Sequence, residues 1–254
     1  MRIRELDAYF RSILDIDGLS RVDSSLNGLQ VGRPEQEVAR IAFAVDACMD
    51  SFRLASRWGA ELLFVHHGLF WGRDLRVTGS HRERLKHLLD HDLCLYAAHL
   101  PLDMHPEVGN NAGMAATLGL VDTQPFGIYK GVNIGIQGRL PRPLTLGEVH
   151  ALLFGGGAPD PVPGLAFGKD RVETVGIVSG GAPHEAYQAV ERGLDLYITG
   201  ESAHGMYHLA QEEGLNVIFG GHYRTETWGV RLLADRTFRD TGLDTRFFDI
   251  PTGL

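Results

Sequence analysis

Leu62-Leu63-Phe64-Val65-His66-His67-Gly68 decides how this chain is read. The first four residues are an unbroken apolar run of strand length, as expected of a strand covered on both faces of its sheet. The run ends in two adjacent imidazoles and a glycine. A strand end holds nitrogen donors rigidly at the rim of a sheet, within reach of a small molecule, so His66 and His67 are candidate metal ligands. Two polar residues closing a strand would look the same, and the rest of the chain must discriminate.

Upstream, Ile41-Ala-Phe-Ala-Val45 reads as a strand. Asp50 to Trp58 reads as a helix stopped by Gly59. Strand–helix–strand order predicts parallel pairing with a right-handed crossover. In such sheets ligands sit beyond the carboxyl ends of the strands, where His66 and His67 fall. Further upstream, Ile3 to Leu14 has helical apolar spacing, and Asn27-Gly28 marks a turn in the loop Asp23 to Gly32. Downstream, Trp71 to His87 carries Arg73, Arg76, Arg82, Arg84 and Lys86 against Asp74 and Glu83. That segment is either a solvated helix face or an attractor for an anionic substrate. Leu93 to Ala98 is a further strand, and it ends in His99-Leu-Pro-Leu-Asp103.

The second half repeats this pattern. Val175-Gly-Ile-Val178 and Leu194 to Ile198 are strands flanking a helix over His184 to Arg192, and the interval from Val175 to Ile198 equals that from Ile41 to Phe64. His66 and His67 then correspond to Gly200 and Glu201 of Thr199-Gly200-Glu201. Gly214 to His222 mirrors Asp92 to His99, and each of these histidines is followed four residues later by a carboxylate, Asp103 or Glu226. A duplicated motif predicts an α/β fold of two pseudo-symmetric α/β units facing each other across a metal-binding cleft, with residues 1–125 as the first unit and 126–254 as the second. The cleft would gather His66, His67, His99, Asp103, His222, Glu226 and Glu201. Residues 121–170, rich in proline, are expected to bridge the halves. Thr145-Leu-Gly-Glu148 is a capping box before a helix through Phe154, and Gly155-Gly156-Gly157 lacks the Lys-Ser/Thr of a phosphate loop and reads as linker.

Imidazoles and carboxylates without thiolates suit Zn, Mn, Fe, Co or Ni. Seven candidate donors exceed one ion's needs. Two divalent ions about 3.5–4 Å apart, bridged by a carboxylate, would use them and would direct the site to hydrolysis. His99, Glu201 and His204 are candidate proton carriers, or else orient a ligand, and a helical setting makes His204 an ordinary surface histidine. Cys48 and Cys94 stand alone in apolar settings and read as core fillers. The chain has 254 residues and a net charge of −8, which argues against broad nucleic-acid binding. It shows neither a membrane-length apolar run nor a secretory apolar region near Met1, so the expectation is a cytoplasmic protein with no membrane partner.

Five ordered motifs together resemble the Nif3-like family, also named after GTP cyclohydrolase 1 type 2. They are Asn27-Gly-Leu-Gln-Val-Gly32, His66-His-Gly-Leu-Phe-Trp71, His99-Leu-Pro-Leu-Asp103 with Gly109-Asn-Asn-Ala112, Thr199-Gly-Glu201 and Gly221-His-Tyr-Arg-Thr-Glu226. The ending Phe247-Phe-Asp-Ile-Pro251 is similar to that of short bacterial members. The resemblance implies a dinuclear metal centre with His66, His67, Asp103, His222 and Glu226 as ligands, Glu226 bridging, and His99 lining the site. It also implies a toroidal homohexamer and a hydrolase acting on a nucleotide, with GTP ring opening as the named activity. Charge and proximity nominate Arg73, Arg76 and Arg224 as phosphate contacts. The alternative is a non-catalytic metal-binding ring or regulatory protein with a protein or nucleic-acid partner.

Overall fold

The computed structural model describes residues 1–155 and 163–254. Gly156, Gly157, Pro159 and Pro161 lie outside the described residues. The chain divides into two compact units, one comprising Met1–Leu102 with Gly229–Ile250, the other Asp103–Trp228 with Pro251–Leu254.

The first unit opens with α1 (Ile3–Ile13), which buries Ile3, Leu6 and Phe10 on one face. Then come β1 (Gly28–Val31), β2 (Arg40–Asp46), α2 (Met49–Trp58), β3 (Leu62–His67), α3 (Gly79–Asp90) and β4 (Cys94–Ala97). β2, β3 and β4 are parallel neighbours, as strand–helix–strand order requires. β1 runs antiparallel to β4. The apolar runs are continuous because both faces are covered. Phe43, Phe64 and Tyr96 stack across three strands on one face, where Phe64 lies 4.9 Å from the Phe10 ring of α1. Ala42, Leu63, Val65 and Leu95 pack on the other face with Phe52, Ala55 and Leu88. Gly59 takes φ 75° to stop α2, a left-handed turn that glycine adopts without a Cβ penalty.

Past the short helix α4 (Leu100–Asp103), the second unit contains α5 (Asn110–Leu118), β5 (Val121–Tyr129), β6 (Val132–Leu144), α6 (Leu146–Phe154), β7 (Gly164–Ala166), β8 (Val172–Val178), α7 (Ala186–Glu191), β9 (Leu196–Thr199), α8 (Met206–Glu213), β10 (Asn216–Phe219) and α9 (His222–Thr225). β8, β9 and β10 again form a parallel run. The sheet order is β5-β6-β8-β9-β10-β7. Val175, Ile177, Leu196, Ile198 and Ile218 meet Leu118, Val149 and Leu153 in its core. The capping box forms: the Thr145 hydroxyl accepts from the Glu148 amide at 3.2 Å, and the Glu148 carboxylate accepts from the Thr145 amide at 2.8 Å.

The described part of 121–170 is not a bridge. It supplies β5, β6, α6 and β7 to the second sheet, and the 125/126 position lies inside β5. The prolines are accommodated where ladder donors are dispensable. Pro125 is on the edge strand β5, and Pro141 and Pro143 fall where the β6–β8 register shifts between Arg139 and Leu144. The chain then runs through α10 (Thr227–Thr241) to β11 (Asp244–Phe247), which pairs in parallel with β2 and completes the first sheet in the order β1-β4-β3-β2-β11. Among the described residues no helix is long and apolar enough to cross a membrane.

Candidate metal centre

In the first unit, donor nitrogens of His66, His67 and His99 all lie within 4.8 Å of one another. Although neighbours on a strand start toward opposite sides, the His66 and His67 rings come within 4.6 Å of each other at the end of β3. Each ring is held through Nδ1. His66 Nδ1 lies 3.1 Å from the Ala98 carbonyl oxygen. A carbonyl only accepts, so Nδ1 carries the proton and Nε2 is the basic nitrogen. His67 Nδ1 meets Asp46 Oδ1 at 2.9 Å, across the register that pairs the ends of β2 and β3. His99 Nδ1 meets Asp23 Oδ1 at 2.9 Å.

Asp23 is the keystone of the loop before β1. It is buried, and it also accepts from the amides of Ser25 and Leu100 and from the Asn27 side chain. Burial alone would raise its pKa. The hydrogen bond and charge of His99, with help from Asn27 and the Ser25 amide, outweigh that and hold it at about 2. Asn27 in turn accepts from the His99 amide at 2.9 Å. The Asn27-Gly28 turn therefore seats His99 as well as opening β1.

In the second unit, Asp103 and Glu226 are buried carboxylates whose oxygens come within 4.8 Å of each other. Asp103 Oδ1 accepts from Asn110 Nδ2 and Ser179 Oγ, both at 2.8 Å. His222 stands between two acids, with Nδ1 2.6 Å from Glu201 Oε1 and Nε2 3.2 Å from Glu226 Oε2. The hydrogen bond to Glu226, reinforced by Glu201, lifts its pKa to about 9 against the opposing cost of burial. Gly180 makes room for this pair: a Cβ there would come 2.1 Å from Glu226 Oε1, at a φ of +66°. Gly200 and Glu201 occupy the strand end corresponding to the His66-His67 pair. There Glu201 holds an imidazole in place instead of a second histidine pair.

All four imidazoles thus have Nδ1 engaged by an oxygen, three of them by a carboxylate. For His66, His67 and His99 this is the outer-shell pattern of metal-binding histidines, which fixes the tautomer and raises the basicity of Nε2, whereas His222 has a carboxylate at each ring nitrogen. The two carboxylates brought together out of water would be stabilised by a cation. The donor set is nitrogen and oxygen, and the residues present fit a divalent metal.

Other nominated residues are placed differently. Arg73 lines a cavity next to β3. Arg224 donates to the Phe154 carbonyl at 2.8 Å and lies over the Phe154 ring, so it anchors the end of α6. His204 is exposed and faces His208 edge-on. Cys48 and Cys94 are free thiols. Sequence reasoning missed Asp23, Asp46, Asn110 and Ser179. Asp46 carried a signal, as the carboxylate ending a strand beside the one that ends in His66-His67, and Asn110 lies in the Gly109-Asn-Asn-Ala112 motif.

The model of the family described as Duf34/NIF3 (NGG1p interacting factor 3) matches residues 1–252. The chain belongs to that family. A Treponema pallidum (strain Nichols) member, named GTP cyclohydrolase 1 type 2 homolog, is 45% identical over the whole of both chains. The crystal structure of a Thermus thermophilus protein superposes with a TM-score of 0.87 at 42% identity, covering all of each chain. The protein ybgI does so with a TM-score of 0.89 at 35% identity, again over both full chains. The Duf34/NIF3 fold accounts for the two mixed sheets.

Proposed function

We propose that this Duf34/NIF3 protein is a dinuclear metal-dependent hydrolase of a nucleotide or a similar phosphate-bearing compound, with ring opening of GTP as the first activity to test. The names of its relatives, GTP cyclohydrolase 1 type 2 homolog, point to that reaction. The observation that carries the proposal is the shared support of the imidazoles. His66, His67 and His222 each have Nδ1 held by a carbonyl or carboxylate, and Nε2 of His222 faces the Glu226 carboxylate. In this reading His66, His67, Asp103, His222 and Glu226 would hold two divalent ions. This set of donors is taken from the motif repeat and the family resemblance.

Bound divalent ions would supply an activated water and polarise the bond to be broken. The chain's own contribution is orientation and proton handling. Asn110 and Ser179 fix the Asp103 carboxylate, and Glu201 fixes His222. In this reading His99, held by Asp23 and edge-on to Trp71 at 5.0 Å between ring centres, would carry a proton to or from substrate. The assembly proposed is a homohexamer, and the place of action the cytoplasm.

The test is turnover of a nucleotide panel by metal-loaded protein, with Glu226→Gln as comparator. The expected result is product from wild type, with loss of both metal and turnover in the variant. Unaltered turnover in Glu226→Gln would overturn the proposal. A non-catalytic ring with a macromolecular partner is the other reading, which the family description as an interacting factor favours. It requires metal binding without turnover of any nucleotide in that panel.

A further inference from the structure

A cavity of about 280 Å³ lies in the first unit against the carboxyl end of β3. Its lining includes Gly68, Trp71, Arg73, Arg76, His81 and Arg84, and no carboxylate. The loop after β3 brings Arg73 and Arg76, and the first turns of α3 bring His81 and Arg84. The other cations of α3 are neutralised locally, Arg82 by Glu83 and Lys86 by Asp90. Arg73, Arg76 and Arg84 make no ion pair among the described residues. Arg84 Nε and His81 Nε2 are buried with no hydrogen-bond acceptor there. The nearest acid of the loop, Asp74, lines a neighbouring cavity with Arg73, Leu26, Phe70 and Gly72.

Arg73 and Arg76 are exposed to water, but the buried Arg84 Nε, left unpaired, bears a desolvation penalty that an anion in the cavity would relieve, and the two exposed guanidinium groups add positive charge at its rim. Phosphate oxygens match the planar fork of arginine, two at a time. The cavity also adjoins the histidine cluster. Gly68 follows His67 in the chain, the Ala47 amide of the wall donates to the His67 carbonyl at 2.8 Å, and Trp71 packs 5.9 Å from the His67 ring and 5.0 Å from that of His99. The Trp71 indole is fixed by donating to the Gly68 carbonyl at 3.0 Å. One wall is therefore common to a cationic cavity and an imidazole cluster.

We propose that this cavity is the subsite for the phosphoryl groups of a nucleoside phosphate, with Arg73, Arg76 and Arg84 as their ligands and Trp71 as the partition that sends the rest of the molecule toward His67 and His99. Which end of the substrate reacts rests on the hydrolase reading above. Phosphate binding by the arginines does not. A compact anion suits the site better than a polymer, since the cavity is small and the chain is acidic overall.

The experiment is calorimetric titration of the full-length protein, as purified, with inorganic pyrophosphate. Wild type is expected to bind one equivalent per chain. Arg84→Gln and Arg73→Gln should each weaken binding tenfold or more, while Arg239→Gln on α10 should leave it unchanged. Arg73 is exposed, so its variant keeps the test usable if Arg84→Gln does not fold. Glu226→Gln, which removes a proposed metal ligand, should still bind pyrophosphate through the arginines. Loss of binding in Glu226→Gln with no change in the arginine variants would place the anion on the metal and overturn the proposal. So would the absence of pyrophosphate binding by wild type, or an altered oligomeric state of Arg84→Gln with unaltered affinity, which would mean that the arginines meet another copy of the chain. If pyrophosphate binds as expected but no nucleotide is turned over, the subsite stands and the hydrolase reading falls.

Discussion

Replacing Asp46 with alanine tests most sharply the idea that oxygen partners on Nδ1 prepare the imidazoles for metal. Asp46 Oδ1 sits 2.9 Å from His67 Nδ1, and the two side chains are 37% and 18% exposed, so water competes only in part for the contact. A carboxylate in that position orients the ring, fixes the proton on Nδ1 and raises the donor strength of Nε2. Removing such a partner lowers metal affinity by about 10–100-fold, or about 1.4–2.8 kcal/mol at 1.4 kcal/mol per decade. Asp46→Asn keeps an acceptor oxygen in place and loses only the charge, so its effect should be the smaller of the two. Competition titration against a chromophoric chelator, with thermal melting to confirm that the unit folds, gives both numbers. A folded Asp46→Ala protein with wild-type affinity would refute the reasoning.

Other expected outcomes follow from individual contacts. Gly180→Ala places a Cβ against Glu226 at a φ of +66°, so it should cost about 1–2 kcal/mol in conformation alone and reduce metal uptake, read by denaturation and metal analysis; an unaffected variant would contradict the cradle. Phe64→Ala empties the ring stack beneath the β3 strand end and should cost about 3–5 kcal/mol in urea unfolding, a loss under about 1 kcal/mol being inconsistent with that packing. Asp195 accepts from the amides of Glu173 and Thr174 and pairs with Lys169; despite the opposing effect of burial these contacts lower its pKa. Its contribution is thus present above the ordinary aspartate pKa of about 3.9 and is lost as pH falls below it. Asp195→Asn should flatten the acid limb of a stability–pH curve, and an unchanged limb would count against the contact.

The parallel runs β2-β3-β4 and β8-β9-β10 were legible because strands covered on both faces need continuous apolar residues, and the duplicated spacing exposed the rest of the pattern. The histidine pair was legible for a related reason: polar residues that end such a run mark the rim of a sheet. The return of the chain to the first unit was not. Asp244-Thr-Arg-Phe247 is an edge strand of mixed exposure, and its pairing with β2 is a long-range contact that local pattern does not encode. Residues 121–144 looked like a bridge because prolines tolerated at an edge strand and a register shift carry the same composition as a linker. Asp23 was hidden because it acts on an imidazole far along the chain. His99 reaches back 76 positions to Asp23, and only the folded loop brings them together. Arg224 was nominated by its neighbours in sequence, whereas its guanidinium is held by Phe154.

The central proposal, that His66, His67, Asp103, His222 and Glu226 would serve as metal ligands, is tested most directly by counting metal per chain. Wild type, His66→Ala and Glu226→Gln would be loaded identically, desalted and analysed by inductively coupled plasma mass spectrometry. The account predicts two ions per wild-type chain and a marked loss in both variants. Full occupancy in either variant would contradict it.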